Sequence, residues 1–432
     1  MKILFLTTLN IGIDQEHYFT KNVWKELSQL PKSNLASIQL SNDTAKPELI
    51  IEKKDERNYY ILKLPSKQFY YKNSISEEIQ YFFNYIKPDV IHSNMIEGYD
   101  IIAAKKLNIP IVLTIHIGGF ICPRGGGNGF LMYNDSICNQ KIGKECMKCG
   151  CMDLPLPHLS YFLLKAIPKQ FITYIANKIK NRNIFYITPL LSKYTHIQNR
   201  KEYIQLLNYA HIIAANEQLI HLLKINGIPN SNIHLIPHGV KERQRLPLPD
   251  YDGKIKFFYL GRIQYSKGLH ILMKAFKGID RNKYELHIIG DSEKAGHGFE
   301  YQRKIECLSK KLNITFHGRI PNADIEEIVK NCHVMVHPAI FLEVYGISIS
   351  ESLSMGRPVL ATRCGGAEMQ IKEGVNGWLV EPNSVSQLHK KLVRLIFNHD
   401  IVYKSANQTH IPMDIQIYVK ELSKLYANIS IR

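Results

Sequence analysis

The 432-residue sequence lacks any uninterrupted apolar run approaching the roughly 20 residues that a membrane-spanning helix needs. Low-complexity tracts and repeats with a period of about 20–50 residues are also missing, which excludes fibrous and solenoid architectures. The apolar start Met1–Leu6 is similar to a signal peptide, but polar residues follow at Asp14–Glu16 without a small-residue cleavage site. The start therefore predicts a first buried β-strand in a cytoplasmic protein.

Acidic residues are scarce relative to basic ones. The chain has 55 Lys and Arg against 38 Asp and Glu, a formal net charge of +17. Residues 101–200 hold 13 of the basic residues and only three acidic ones, so more than half of the excess lies there. This asymmetry indicates an anionic partner such as lipid headgroups, nucleotide phosphates or nucleic acid. The alternative is a solubilising surface.

Strands and helices alternate almost throughout, and 45% of residues are hydrophobic, enough for large cores. The predicted fold class is α/β, with two Rossmann-like, doubly wound parallel-sheet domains facing a central cleft. The predicted boundaries give a first domain over 1–245, containing a Cys-rich loop at 117–152, and a second domain over 246–410. A C-terminal helix over 411–432 is expected to pack back toward the first domain. The Pro-containing segment 241–253 has no apolar periodicity and is predicted to be a linker.

Two stretches of the second half carry chemistry. In Gly261–Gly268, which follows a predicted strand, Arg262 and Lys267 can clamp a diphosphate. In Glu343–Glu351, the helix start near Gly346 offers free backbone N–H groups for phosphate or sugar oxygens. Both glutamates of that stretch can accept hydrogen bonds from hydroxyl groups in the same cleft. Ordinary surface cations and solvated glutamates are the alternatives for each stretch alone.

A third stretch contributes mainly structure. Gly356 in Gly356-Arg357-Pro358-Val359 is predicted to end a helix, and Gly365-Gly366-Ala367-Glu368 follows the next strand. Asn376-Gly377 is predicted to be a hairpin turn. Together with the two stretches above, Gly356–Val359 and Gly365–Glu368 give four short motifs in a fixed order and spacing.

The set of signatures resembles the family-four retaining glycosyltransferases of the GT-B fold. The signatures are Gly-Arg-x4-Lys-Gly, Glu-x7-Glu, Gly-x-Pro-Val and Gly-Gly-x-x-Glu. The resemblance extends over essentially the whole chain and is strongest over Ile255–Val380. It implies a retaining glycosyltransferase that uses a nucleoside-diphosphate sugar, with an acceptor domain first and a donor domain second.

The resemblance also implies roles for individual residues. Arg262 and Lys267 bind the diphosphate, and Glu351 binds the ribose hydroxyls. Glu343 contacts hydroxyls of the donor sugar, and the amides of Gly346 and Ile347 complete the donor site. No catalytic metal is expected, because protein cations stabilise the leaving dianion.

In the first half, Ile111–His116 matches the strand whose terminal histidine lies near the anomeric centre. His116 and Glu343 are therefore the expected catalytic residues, and neither is assigned as a nucleophile. A structural strand-end histidine is the alternative for His116. The loop after the first strand departs from the family's paired glycines, since it contains only Gly12, which is expected to serve there.

Five of the eight cysteines lie between Cys122 and Cys151. The Cys146-x2-Cys149 spacing is typical of metal ligands, and Cys122 and Cys138 complete a tetrahedral set for one structural zinc. Cys151 is the substitute ligand. Free thiols and disulfides are the alternatives.

Residues Tyr161–Arg182 combine apolar and basic positions in the manner of an interfacial membrane helix. The predicted location is therefore cytoplasmic, or peripheral at the inner face of the cell membrane, and the predicted acceptor is a lipid-linked or cell-envelope glycan. A core-packed helix with a solvated basic face is the alternative.

Two other functions remain open. A sugar-nucleotide epimerase shares the two-domain fold and donor cleft. A nucleic-acid-binding protein fits the charge, but no motif for specific nucleic-acid binding is present.

Overall fold

A computed structural model describes most of the chain. The described residues are 1–7, 18–30, 32–41, 44, 46–54, 57–65, 72–95, 97–124, 129–152, 154, 156–166, 189–292 and 297–430. They form two compact units: unit 1 contains residues 1–126, 139–239 and 415–432, and unit 2 contains residues 127–138 and 240–414. The change from one unit to the other at 239/240 lies just before the predicted boundary at 245/246. Within the described part of the chain, no helix is both long and apolar enough to cross a membrane.

Unit 1 contains eight strands and eight helices among the described residues. The strands are β1 (Ile3–Leu6), β2 (Ser33–Ser41), β3 (Glu48–Lys54), β4 (Arg57–Pro65), β5 (Val90–Ser93), β6 (Ile111–Thr114), β7 (His211–Ala214) and β8 (Ile233–Leu235). The helices are α1 (Tyr18–Leu27), α2 (Lys72–Ile86), α3 (Tyr99–Leu107), α4 (Lys144–Cys151), α5 (Pro157–Ala166), α6 (Pro189–Leu207), α7 (Glu217–Ile225) and α14 (Ile415–Ser430).

The sheet of unit 1 has the order β3-β4-β2-β1-β5-β6-β7-β8 and is parallel except for β3. Its inner strands β1, β5 and β6 are buried along their whole length, as expected for short apolar strands covered on both faces. Helix α14 packs against α1, and Tyr426 on α14 bonds His92 at the end of β5. The structure thus places the C-terminal helix in unit 1.

Unit 2 contains a second parallel sheet, of order β11-β10-β9-β12-β13-β14. The strands are β9 (Ile255–Leu260), β10 (Tyr284–Ile289), β11 (Ile314–Gly318), β12 (Val334–His337), β13 (Val359–Thr362) and β14 (Gly377–Val380). The helices are α8 (Leu269–Phe276), α9 (His297–Ser309), α10 (Ile325–Val329), α11 (Ile347–Ser354), α12 (Val385–Phe397) and α13 (His399–Ala406). A core cluster covers each face of the sheet. The prediction of two doubly wound parallel sheets is confirmed.

The predicted hairpin turn at Asn376-Gly377 is wrong. Gly377 begins β14, which pairs in parallel with β13, Val359 opposite Gly377. A Cβ on Gly377 would lie 2.3 Å from the Val359 carbonyl oxygen. The glycine is therefore needed for close strand approach, and the Asn376 side chain accepts from the Lys372 N–H at 2.8 Å to close the preceding turn.

A short hairpin from the Cys-rich loop belongs to unit 2. Leu131 and Ile137 form an antiparallel bridge, and Leu131 is buried in the unit 2 core. The Tyr265 hydroxyl donates to the Asp135 carboxylate at 2.7 Å. We call the described residues 129–138 the docked hairpin. The predicted loop 117–152 is thus divided between the two units, because Leu131 is buried in the core of unit 2.

Candidate functional site

The turn after β9 presents Arg262 and Lys267. Gly268 ends this turn with a φ of 73°, and a Cβ there would lie 1.9 Å from the Pro338 carbonyl oxygen. Only glycine allows the turn to approach the loop that follows β12 so closely. Arg262 is exposed, whereas the Lys267 side chain is only 15% exposed.

The loop after β12 places Glu343 against that lysine. The Glu343 carboxylate accepts from the Lys267 ammonium, and its Oε2 lies 3.4 Å from Nε2 of the buried His337. Burial favours the neutral acid, but the Lys267 charge and the His337 hydrogen bond outweigh it and hold the pKa of Glu343 well below its usual range. Burial lowers the pKa of His337. The site therefore contains a buried carboxylate that stays ionised, paired with one ammonium.

Two glycine-containing segments next to Glu343, Tyr345-Gly346 and the turn Gly365-Gly366, are held together by hydrogen bonds. Gly346, at φ 82° and ψ 66°, precedes α11, so the N–H groups of the first helical turn are directed at the loop. A Cβ on Gly366 would lie 2.2 Å from the Tyr345 carbonyl oxygen. The buried Gln370 amide donates to the carbonyls of Tyr345 and Gly366, and accepts from Ser350. These bonds fix the start of α11 against the Gly365-Gly366 turn.

Glu351 lies inside α11 and is paired with a residue from the predicted linker. Its Oε1 accepts from Arg243 at 2.8 Å, and both side chains are 9% exposed. Arg243 also contacts Glu326 at 3.3 Å, and its backbone N–H donates to Ser354 Oγ at 2.7 Å. The segment predicted as a featureless linker thus supplies the cation that orients Glu351.

His116 lies in unit 1, two residues beyond the end of β6. Its Nε2 bonds the side-chain oxygen of the buried Asn94, and its ring lies 5.5 Å from that of His238 and 6.3 Å from that of Phe120. Gly12, and most of the predicted interfacial helix Tyr161–Arg182, lie outside the described residues.

The structure does not assemble the predicted zinc site. Cys122, Cys138, Cys146, Cys149 and Cys151 are all described, yet the described residues contain no group of three or more His, Cys, Asp or Glu placed to hold a metal. Cys138 is carried by the docked hairpin into unit 2, whereas the other four belong to unit 1. Gly143 N–H approaches Cys146 Sγ at 3.5 Å, and Cys149 and Cys151 are buried in α4.

Sequence reasoning singled out Lys267, Glu343 and Gly346, which the structure brings together in unit 2. It did not find His337, Gln370, Arg243 or Asn94. His337 could have been found in the same way as His116, because it is also a histidine at the end of a buried strand. The other three are single polar residues in loops and carry no local signal.

Comparison with known proteins identifies the family of unit 2. Residues 240–409 match the family described as Glycosyl transferases group 1. This segment is a group 1 glycosyltransferase domain. Lys267, Glu343, Gln370 and Glu351 all lie in the glycosyltransferase domain, and the resemblance predicted from the four signatures is confirmed there.

Relatives and solved structures extend the comparison. An uncharacterized glycosyltransferase MJ1178 of Methanocaldococcus jannaschii is 30% identical over 146 residues, 33% of this chain and 38% of that protein. The D-rhamnosyltransferase WbpZ of Pseudomonas aeruginosa is 24% identical over 256 residues, 57% of this chain and 62% of that protein. The chain thus spans less than two thirds of these relatives. The crystal structure of HepE of Anabaena with UDP and glucose has a TM-score of 0.63 at 15% identity and covers 99% of both chains. The predicted GT-B fold is confirmed.

Proposed function

We propose that this protein is a retaining glycosyltransferase that moves a sugar from a nucleoside-diphosphate sugar to a hydroxyl group of a glycan. The observation that carries the proposal is the buried pair of Lys267 and Glu343 beside the start of α11 in the glycosyltransferase domain. It combines a cation and helix N–H groups for a diphosphate with a carboxylate for sugar hydroxyls.

The nucleoside diphosphate leaves with two negative charges. These charges have to be stabilised as the bond between the anomeric carbon and the phosphate oxygen breaks. Lys267, Arg262 and the N–H groups of Gly346 and Ile347 supply that stabilisation, so the proposed mechanism needs no catalytic metal. Because Glu343 holds the ammonium in the structure described here, a bound diphosphate shares Lys267 with that carboxylate. The charge of the pair is in place before the donor arrives.

Glu343 and Glu351 receive different tasks in this proposal. Glu343 accepts hydrogen bonds from donor-sugar hydroxyls while its Oε2 stays paired with Lys267. Glu351 accepts from the ribose hydroxyls and is oriented by Arg243. His116 is assigned to the reacting sugar, and Gly12 completes the acceptor side. The acceptor hydroxyl attacks from the leaving-group face, which retains the anomeric configuration.

A donor screen tests the proposed function. We expect one of the UDP-, GDP- and ADP-sugars to raise the melting temperature of the protein, with UDP-sugars the first choice because HepE was solved with UDP and glucose. With an added glycan acceptor, the same donor is expected to release nucleoside diphosphate and give a product of unchanged anomeric configuration. Without acceptor, conversion of the donor sugar into its epimer would instead establish the epimerase. Absence of any stabilisation contradicts a nucleotide-sugar site.

We further propose that unit 1 binds an anionic membrane, which brings the enzyme to a lipid-linked or cell-envelope glycan. Four large apolar side chains are exposed in and before α5: Met152 at 38%, Leu156 at 69%, Leu159 at 51% and Phe162 at 67%. We call them the apolar patch. It belongs to the basic stretch 101–200, so the same part of the chain supplies apolar side chains for insertion and positive charge for anionic headgroups.

Phe162→Glu is expected to weaken vesicle binding about thirtyfold, because burying a phenylalanine contributes about 2 kcal/mol. The measurement is sedimentation with vesicles of phosphatidylglycerol and phosphatidylcholine. Phe397→Glu is the matched control, since Phe397 is 63% exposed but lies in unit 2, and it is expected to bind like the unmodified protein. Binding should also fall at high salt. Equal loss in both variants, or no binding at low salt, would exclude the apolar patch as a membrane contact.

A further inference from the structure

Asn94 is a fully buried residue directly after β5, and its side-chain amide has a fixed orientation. Its backbone N–H and its Nδ2 both donate to the Leu6 carbonyl at the end of β1, at 3.2 Å and 2.8 Å. Because the NH2 end is used there, the carbonyl end of the amide is directed the other way. The Nε2 atom of His116 bonds that oxygen.

This arrangement selects one tautomer of His116. An amide oxygen can only accept a hydrogen bond, so the Nε2 that bonds it carries a proton. In the neutral ring the lone pair is then on Nδ1, because the bond made by one nitrogen decides the protonation of the other. Exchanging the two ends of the amide would face its NH2 group toward Nε2 and its oxygen toward the Leu6 carbonyl oxygen, two acceptors in contact. The orientation of Asn94 therefore follows from the chain around it.

The ring of His116 is also held from its sides. His238 lies 5.5 Å away, centroid to centroid, and is itself buried 6.4 Å from the ring of Tyr418 on α14. Phe120 contacts His116 edge-on at 6.3 Å. Rotation of the imidazole would break the Asn94 bond and disturb these packed rings. The geometry fixes both the plane of the ring and the position of its proton.

We propose that Asn94 is a positioning residue that holds His116, the histidine assigned to the reacting sugar, as the Nε2–H tautomer with its lone pair on Nδ1. The tautomer depends only on the geometry of unit 1. Its use on a sugar depends on the proposed function.

Histidine-specific 15N NMR tests the tautomer without any assay of transfer. His116→Gln assigns the signals of His116 by their loss. At a pH where the ring is neutral, we expect Nδ1 of the unmodified protein to have the chemical shift of an unprotonated nitrogen. Asn94→Leu removes the acceptor and should populate the Nδ1–H form. Protonated Nδ1 in the unmodified protein, or an unchanged tautomer in Asn94→Leu, overturns the proposal.

Steady-state kinetics then test whether this tautomer of His116 contributes to sugar transfer. Asn94→Leu is expected to lower kcat about tenfold, the effect of one lost hydrogen bond, with the KM for the donor within about twofold. An unaltered kcat in Asn94→Leu would show that the tautomer has no part in transfer. If the unmodified protein transfers no sugar, the NMR result still decides the role of Asn94, so the two failures are distinguishable.

Discussion

Glu343→Ala is expected to lower the rate of sugar transfer by two or more orders of magnitude, and Lys267→Ala is expected to have an effect of the same size. Each variant removes one oriented group from a site where it acts on charge or hydroxyls in the transition state, a loss of about 3–4 kcal/mol. Because the two side chains are buried against each other, each single variant also leaves an unpaired charge behind. The double variant should therefore be less impaired than the product of the two single effects.

The exposed pair of Glu327 and Lys330 provides the matched control. It joins the same two residue types, but its side chains are 72% and 49% exposed. Glu327→Ala and Lys330→Ala are expected to leave transfer within about twofold, because exposed ion pairs contribute little. Release of nucleoside diphosphate is the measurement, with far-UV circular dichroism to confirm folding. Turnover near that of the controls in folded Glu343→Ala or Lys267→Ala protein would refute the donor-site assignment.

Arg357→Met is expected to lower the free energy of unfolding of unit 2 by about 3–5 kcal/mol. The Arg357 side chain is fully buried and donates to five backbone carbonyl oxygens, those of Leu246, Pro247, Val329, Lys330 and Met355. Burial lowers its pKa only to about 10, so it stays charged at neutral pH. A methionine fills similar space but leaves carbonyls of the 246–247 segment buried without their donor.

Each unit contains one buried tryptophan, so the loss can be assigned to a unit. Trp24 is in unit 1 and Trp378 in unit 2. In a Trp24→Phe background, tryptophan fluorescence during urea unfolding therefore reports on unit 2 alone. Arg363→Met is the control, since that side chain is 43% exposed and pairs with the exposed Glu381. It is expected to cost less than about 1 kcal/mol. An equally small effect of Arg357→Met would show that its five hydrogen bonds do not stabilise unit 2.

Local sequence pattern was sufficient for much of unit 2. The strand Tyr284–Ile289, for example, alternates buried Tyr284, Leu286 and Ile288 with the half-buried Glu285 and His287, a pattern typical of a strand. Gly356 follows the end of α11 with a φ of 82°, as predicted for a residue after a helix. The turn with Lys267 and the loop with Glu343 were found because each follows a recognisable strand.

The residues that orient the site could not be predicted in this way. Arg243 meets Glu351 across more than a hundred residues of sequence, and its surroundings contain prolines and charges typical of a linker. Gln370 and Asn94 act through bonds to backbone atoms of distant loops, which leave no periodicity or spacing in the sequence. Gly377 of β14 was misread because Asn-Gly is usual in hairpins, whereas here a neighbouring strand leaves no space for a Cβ. In each case a long-range neighbour decides the structure.

Helix α14 also determines the order in which the protein can be completed on the ribosome. Every residue of unit 2 has been synthesised before residue 415, so its core can close while translation continues. Unit 1 contains β1, which is made before every strand of unit 2, yet its core lacks Tyr418, Leu422 and Tyr426 until the last stretch of α14 has emerged. The apolar surface around His92 that receives Tyr426 is uncovered throughout this interval. Unit 1 therefore keeps an incomplete core, with apolar surface exposed, for as long as unit 2 is being translated.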